Sequence, residues 1–192
     1  MIARFDREAL HVTPPAGYRH CPLRAEQQAA WAWLDNWCFD GAGDGRTPPP
    51  LPFSQAVLAG PPGSGRSHLA EAFSRHLDGD QRLQALPAGW SRLRLRLAVK
   101  LAESLPGRRR QRSDPWDCGY LADSASALRA LRRFQPRRAT LMVADELPGP
   151  TLAACIDALA QRRDGFRQPV RLLVITAAQA WSISLDLAAS RP

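Results

Sequence analysis

Lysine is almost missing from this sequence. Of the 26 basic residues in the 192-residue chain, 25 are arginine and one, Lys100, is lysine. No single binding surface would demand so lopsided a ratio, so we interpret it first as a composition bias of the whole genome. The number of arginines therefore does not by itself indicate a function.

Long apolar runs and paired cysteines are also absent. No apolar run approaches the roughly 20 residues of a membrane helix, and residues 1–10 carry four charged side chains where a signal peptide has an apolar stretch. We expect a cytoplasmic protein without a membrane partner. The four cysteines form no CxxC pair, which argues against a zinc site and a secreted disulfide framework and favours buried or incidental thiols.

The remaining composition is that of a soluble globular domain. With 45% hydrophobic and 23% charged residues, the chain does not fit collagen-like, coiled-coil or disordered classes. We expect residues 1–52 to form an N-terminal extension with one amphipathic helix at 24–39, and residues 53–192 to form the core. The tryptophans of that helix have helical spacing, which favours a core role over base stacking.

Apolar strands alternate with helical patterns along the core. The pattern predicts buried strands at residues 53–60, 140–146 and 170–177. It predicts helices at residues 120–134 and 151–163. Residues 91–97 alternate arginine and leucine, which suggests a strand, although a helix is also possible. The alternation predicts an α/β fold, a three-layer parallel sheet with helices on both faces.

Positive charge is concentrated in one segment. Residues 92–138 contain 13 basic and four acidic residues, which leaves the rest of the chain at a net charge of −1. The densest stretch predicts an exposed loop that attracts phosphate groups. Nucleic acid is the expected polyanion, and a solvated loop in an arginine-rich protein is the alternative. The loop arginines are Arg108, Arg109, Arg110 and Arg112.

A glycine-rich octet follows the first strand of the core. Residues 60–67, GPPGSGRS, match the Walker A pattern G-x-x-x-x-G-K-[ST] except where Arg66 replaces lysine. Backbone N–H groups between a strand and a helix are expected to converge on a phosphate, and Ser67 offers a hydroxyl to Mg²⁺. A glycine-rich turn without a ligand is the alternative. The expected nucleotide contacts are Gly60, Pro61, Pro62, Gly63, Ser64, Gly65, Arg66, Ser67 and His68.

Two carboxylates end the strand at residues 140–146. An apolar run before Asp145 and Glu146 has the form of a Walker B strand, in which Asp145 holds Mg²⁺ and Glu146 orients or deprotonates an attacking water. Both motifs end parallel strands, so we expect them to meet at the carboxyl edge of one sheet. Together they predict a site for ATP and Mg²⁺.

With these motifs the chain resembles the AAA+ ATPases, and within them the clade of the replication initiator DnaA, its regulator Hda and the helicase-loader-like DnaC and IstB. The resemblance rests on GPPGSGRSHLA, LMVADE and LLVITAAQAWSISLDLAASR, over about residues 53–191. It implies that Thr176 is the sensor 1 residue. It also implies that Arg191 is an arginine finger for a neighbouring subunit, and a terminal arginine without a role is the alternative.

Two departures from the family pattern concern hydrolysis. The planar guanidinium of Arg66 is bulkier than the family's lysine ammonium, so we expect nucleotide binding with slow or absent turnover. The chain also stops at Pro192, directly after the expected finger, so we expect no α-helical lid with its sensor 2 arginine. A separate chain that supplies the missing part is the alternative.

Three functions remain open from the sequence. The first is an ATP-binding, AAA+-like protein that acts with DNA in replication control, helicase loading or mobile-element maintenance. ATP would then serve mainly as an assembly switch, with a second copy or another AAA+ chain as partner. The second is a non-hydrolysing scaffold that binds a protein or nucleic acid through residues 92–138. The third, a phosphotransferase, is disfavoured because Glu146 suits water activation.

Overall fold

Helices cover both faces of a six-stranded sheet in the computed structural model, which describes residues 10–11, 23–39, 51–78, 89–90, 93–94, 97 and 114–186. The strands are β1 (Leu10–His11), β2 (Phe53–Gly60), β3 (Asp117–Leu121), β4 (Thr140–Asp145), β5 (Val170–Ala177) and β6 (Ser182–Asp186). The helices are α1 (Ala25–Phe39), α2 (Arg66–Leu77), α3 (Ala125–Leu131) and α4 (Gly149–Ala160), and a 3₁₀ turn spans Arg163–Gly165.

The strands lie in the order β1-β3-β4-β5-β2-β6. The four inner strands are parallel, whereas β1 and β6 run antiparallel to their neighbours. The expected α/β sheet is therefore mixed rather than wholly parallel. Only four residues, 178–181, separate β5 from β6, and a parallel crossover needs a dozen or so. The chain consequently returns antiparallel along the outer side of β2.

Alternate side chains of the inner strands enter two separate apolar cores. In β5, Leu173 contributes to the core shared with α1 and α2, and Leu172 contributes to the core shared with α3 and α4. Because neighbouring strand residues point to opposite faces, helices cover both sides of the sheet. The predicted three-layer arrangement is confirmed.

The tryptophans of α1 belong mainly to the first core. Trp37 is 5% exposed, and the half-buried Trp31 meets the ring of Phe73 edge-on, with ring centroids 5.2 Å apart. These contacts join α1 to α2, so the core role predicted from helical spacing fits the structure better than a base-stacking platform.

A buried arginine fastens the end of α1 to the sheet. Arg171 in β5 is 2% exposed. Its Nε donates to the main-chain oxygen of Trp37 at 3.3 Å, and its Nη1 donates to that of Leu51 at 2.8 Å. The indole N–H of Trp37 donates in turn to Ser54 Oγ at 2.9 Å. One guanidinium thus connects α1, the segment before β2 and β5.

The predicted helix at 120–134 is wrong at both ends. Tyr120 and Leu121 belong to β3, which pairs in parallel with β4. The helix starts at Ala125 because Ser124 caps it, with Ser124 Oγ accepting from Ala127 N at 3.1 Å. It ends at Leu131. The predicted helix at 151–163 is instead Gly149–Ala160, with proline in its first turn.

The alternating segment 91–97 is helical where it is described. Leu93, Arg94 and Leu97 are helical, as is the preceding Trp90, so the expectation of a strand is wrong there. Leucine and arginine are both good helix formers, and the alternation did not override that preference.

The described cysteines have no disulfide partner. Cys38, Cys118 and Cys155 are not in disulfides and all three are buried, as expected for core residues. Burial raises the pKa of the Cys155 thiol, and the negative charge of Asp123 raises it further. In the described ranges, no helix is both long and apolar enough to cross a membrane.

Candidate functional site

The glycine-rich octet forms a tight turn between β2 and α2. Its chain reverses at Ser64, whose N–H donates to the oxygen of Pro61 at 3.2 Å. Gly63 and Gly65 have φ values of 74° and 85°, which residues with a Cβ rarely adopt. A Cβ at Gly63 would meet nothing within 4 Å, so the loop is open on that side.

No side chain caps the start of α2. Gly65 is the N-cap residue and makes no side-chain hydrogen bond to the helix. The first N–H groups of a helix have no partner within it and carry its positive dipole end. Among the predicted contacts, Arg66, Ser67 and His68 form this first turn and are all half-buried. The turn therefore offers donors to an anion in front of the loop.

Gln27 of α1 forms hydrogen bonds with the main chain of the loop. The sequence did not predict this role. Its side chain is 4% exposed. Its Nε2 donates to the main-chain oxygens of Ser64 at 3.3 Å and Gly65 at 3.2 Å. Its Oε1 accepts from the backbone N–H of Arg24 at 2.8 Å, which caps the start of α1.

The backbone at residue 65 favours glycine because of its φ of 85°, and the Gln27 side chain lies close to it. A Cβ at Gly65 would lie 2.4 Å from Gln27 Nε2, which is closer than packed atoms can approach. The loop is similarly closed at its start, where a Cβ at Gly60 would lie 2.9 Å from Cε3 of Trp181. Close packing thus fixes both ends of the turn, while its middle stays open.

Arg66, the residue that replaces the Walker A lysine, contacts the neighbouring strand. Its Nη1 donates to the main-chain oxygen of Thr176 at the end of β5. Its Cδ would lie 3.4 Å from a Cβ at Gly60, so the stem of the side chain crosses the start of the loop. The guanidinium therefore connects the loop to β5.

Three neighbouring strands end beside one another at this edge. β5 lies between β2 and β4, with Ala59 level with Thr176 and Asp145 level with Ile175. Strands are about 4.8 Å apart, so β4 lies about 10 Å from β2. The expectation that both motifs meet at one carboxyl edge is confirmed as a matter of topology, with Thr176 between them.

The two carboxylates at the end of β4 have different surroundings. Asp145 is 6% exposed, whereas Glu146 is exposed to solvent. Glu146 has a φ of 57° and is the only non-glycine residue with positive φ among the described residues. Such conformations cost about 1–3 kcal/mol and cluster at functional sites. The turn at Glu146 brings an exposed carboxylate directly after a buried one.

These residues are of the types that can hold a magnesium ion together with a nucleotide. No group of three metal-ligating side chains occurs in the described part of the chain. Mg²⁺ commonly binds through one or two protein groups together with phosphate oxygens and water. Ser67 and Asp145 are suitable protein groups of this kind, and the open, uncapped turn suits the phosphates.

Part of the predicted site lies outside the described residues. This applies to Arg191 and to the loop arginines Arg108, Arg109, Arg110 and Arg112. Comparison with protein-family models, with curated proteins and with solved structures finds no match to this chain. The chemical interpretation of the site therefore depends on its own geometry.

Proposed function

We propose that the protein binds ATP with Mg²⁺ at the carboxyl edge of its sheet and acts with DNA, as an AAA+-like module in which the nucleotide serves mainly as an assembly switch. The observation that carries the nucleotide part is the meeting of the open glycine turn with Asp145 across one intervening strand. In open α/β sheets, ligands bind outside the carboxyl ends of the strands.

Each group at this edge has a part in the proposal. The backbone of residues 63–67 binds phosphate oxygens, and Ser67 and Asp145 hold the Mg²⁺ shell. Bound Mg²⁺ neutralises the charge of the phosphates. Glu146 and Thr176 orient water when hydrolysis takes place. Arg191 is the proposed finger toward a second copy or a partner AAA+ chain.

The position of Arg66 supports slow or absent hydrolysis. Its guanidinium donates to the Thr176 oxygen, whereas charge stabilisation in phosphoryl transfer needs a cation on the phosphates. The same contact favours the second candidate function, a non-hydrolysing scaffold. In that case Arg66 would connect the loop to the sheet as a structural contact, and no ligand would be needed to order the loop. The two functions differ in whether nucleotide binds.

Calorimetric titration of the full chain with ATP, with and without Mg²⁺, tests the proposal. We expect binding that Mg²⁺ strengthens, and we expect Asp145→Asn to weaken the Mg²⁺-dependent part by about tenfold or more. Asp157→Asn is the matched control, since Asp157 is an exposed acid on α4. Absence of binding at millimolar ATP would leave only the scaffold. An equal effect of both variants would remove Asp145 from the site.

A further inference from the structure

Positive charge gathers on two neighbouring loops, the first of which includes the last residues of α3, and neither belongs to the candidate site. Residues 129–139 contain five arginines and no acidic residue, and residues 161–168 contain three arginines and Asp164. Together they hold a formal charge of +7 on a chain whose net charge is +8. We call these two loops the arginine surface.

The fold places the two loops side by side at the amino edge of the sheet. One loop leads into β4 and the other into β5, and these parallel strands begin level with each other, with Thr140 opposite Val170. Thr140 N donates to the oxygen of Pro169 at 2.9 Å. Segments about 30 residues apart in the sequence thus become one surface.

Direct contacts hold the two loops together. Arg162 Nε donates to the main-chain oxygen of Phe134 at 3.1 Å, and its Nη1 donates to that of Arg132 at 3.0 Å. The rings of Phe134 and Phe166 pack edge-to-face with centroids 6.2 Å apart. The surface is therefore built on a packed base that spans both loops.

Most of the charge on this surface faces solvent. Arg138 pairs with Asp117 at 3.2 Å with little exposure, and Arg162 is engaged with carbonyl oxygens. Five other arginines are exposed. Like charges gathered in this way repel one another and lower stability, so stability does not account for the arrangement. The exposed arginines are Arg129, Arg132, Arg133, Arg137 and Arg167.

We propose that the arginine surface binds the phosphate backbone of duplex nucleic acid, independently of base sequence. Arginines match phosphate oxygens in charge and in donor geometry. Proteins that bind single strands also stack bases on exposed aromatic rings, but the aromatic residues of these loops, Phe134 and Phe166, are 0% and 8% exposed. Backbone contact without stacking favours a duplex.

This inference deepens the nucleic-acid part of the proposed function and does not depend on nucleotide binding. The phosphate loop follows β2 at the opposite edge of the sheet. β2 has eight residues, and at about 3.3 Å per residue the two edges lie about 25 Å apart. Duplex and ATP can therefore occupy the protein together.

Two quadruple variants, each of which loses four positive charges, test where on the protein the duplex binds. The first replaces Arg129, Arg132, Arg133 and Arg167 by glutamine, and the second replaces Arg108, Arg109, Arg110 and Arg112, the loop predicted from sequence. Binding of a fluorescent DNA duplex of mixed sequence is measured by anisotropy from about 50 to about 300 mM salt. The single strand of the same sequence and vesicles of anionic lipid are measured alongside.

We expect the first variant alone to flatten the dependence of log affinity on log salt by about 3.6, since each of the four lost phosphate contacts removes about 0.9. Its affinity for duplex near 0.1 M salt should fall by more than about 1,000-fold. Its ATP titration should match wild type, which separates this test from that of the nucleotide site. Arginine-to-lysine changes at the same four positions should keep the duplex affinity within about tenfold, since they keep the charge.

The proposal is overturned if the second variant has the larger effect, or if both variants weaken binding equally through net charge alone. It is also overturned if wild type prefers the single strand, or if it binds anionic vesicles but no duplex. Should the glutamine variant fail to fold, the double variant Arg129→Gln with Arg167→Gln must flatten the salt dependence by about 2.

Discussion

Replacing Arg66 by lysine tests whether the contact to β5 restrains the glycine-rich loop at residues 60–67. Arg66 donates to the main-chain oxygen of Thr176, and its stem crosses Gly60. In this position the guanidinium is held by the sheet. We expect the guanidinium to leave the Thr176 oxygen when it turns toward a bound phosphate.

The strength of this contact sets the expected effect. A hydrogen bond from a charged group contributes about 1.5–3 kcal/mol when it is shielded, and this one lies at an exposed position, so we take about 1 kcal/mol. If this contact must break for ATP to bind, its free energy is lost from binding, and the apparent ATP affinity of wild type is about fivefold weaker than it would be without the contact. A lysine ammonium is strongly hydrated and gains less from one exposed carbonyl. Arg66→Lys should therefore bind ATP about fivefold more tightly.

Calorimetry with Mg²⁺ and ATP measures the affinity, and single-turnover phosphate release measures hydrolysis. Arg75→Lys is the matched control, because Arg75 lies on the same helix and pairs with Glu71, away from the loop. Equal or weaker ATP binding by Arg66→Lys would refute the restraint. Tighter binding together with recovered turnover would show that Glu146 and Thr176 can support ATP hydrolysis. Tighter binding without turnover would show that hydrolysis is blocked by something other than the loop.

Two further substitutions test contacts that position the loop and its neighbouring helix. Gln27→Ala removes both hydrogen bonds to the loop carbonyls and should weaken ATP binding about three- to tenfold, at about 0.5–1.5 kcal/mol per bond with partial compensation by water. Gln28→Ala, at an exposed neighbour, is its control, and equal effects of the two would contradict a specific role. Arg171→Met should lower the free energy of unfolding in urea by about 3 kcal/mol, because it leaves the buried carbonyl oxygen of Trp37 and the part-buried one of Leu51 without their donor. Arg167→Met, at an exposed position, should change it by about 0.5 kcal/mol or less.

Buried strands with strong local patterns were predictable from the sequence. β2, β4 and β5 each read as apolar runs, and β4 is buried along its whole length. β3 was not predicted. It has only five residues, DCGYL, lies close after the loop arginines at 108–112, and its last two residues continue the helical spacing of the segment that follows. Its identity as a strand depends on pairing with β4, which is a contact that local periodicity does not encode.

Some residues of the candidate site were likewise predictable from the sequence, and others were not. The positive-φ glycines and the carboxylates at the end of β4 follow from motif spacing, because each motif is contiguous in the chain. Gln27 and the contact of Arg66 do not follow from spacing. Gln27 reaches the loop across 37 and 38 positions of sequence, and Arg66 reaches Thr176 across 110 positions. Only the packing of α1 and β5 beside the loop brings these groups together.

The scarcity of lysine does not explain why positive charge is concentrated on the arginine surface. A bias toward arginine determines which basic residue occupies a position, but it does not determine where acidic residues are missing. The chain has 18 acidic residues, and none of them lies in residues 129–139. Along the sequence, the charge of the segment 92–138 ends at Arg138, whereas in the fold it continues into residues 161–168. Binding of a polyanion at that edge would favour this arrangement, since its charge repulsion is relieved only when a partner of opposite sign is present.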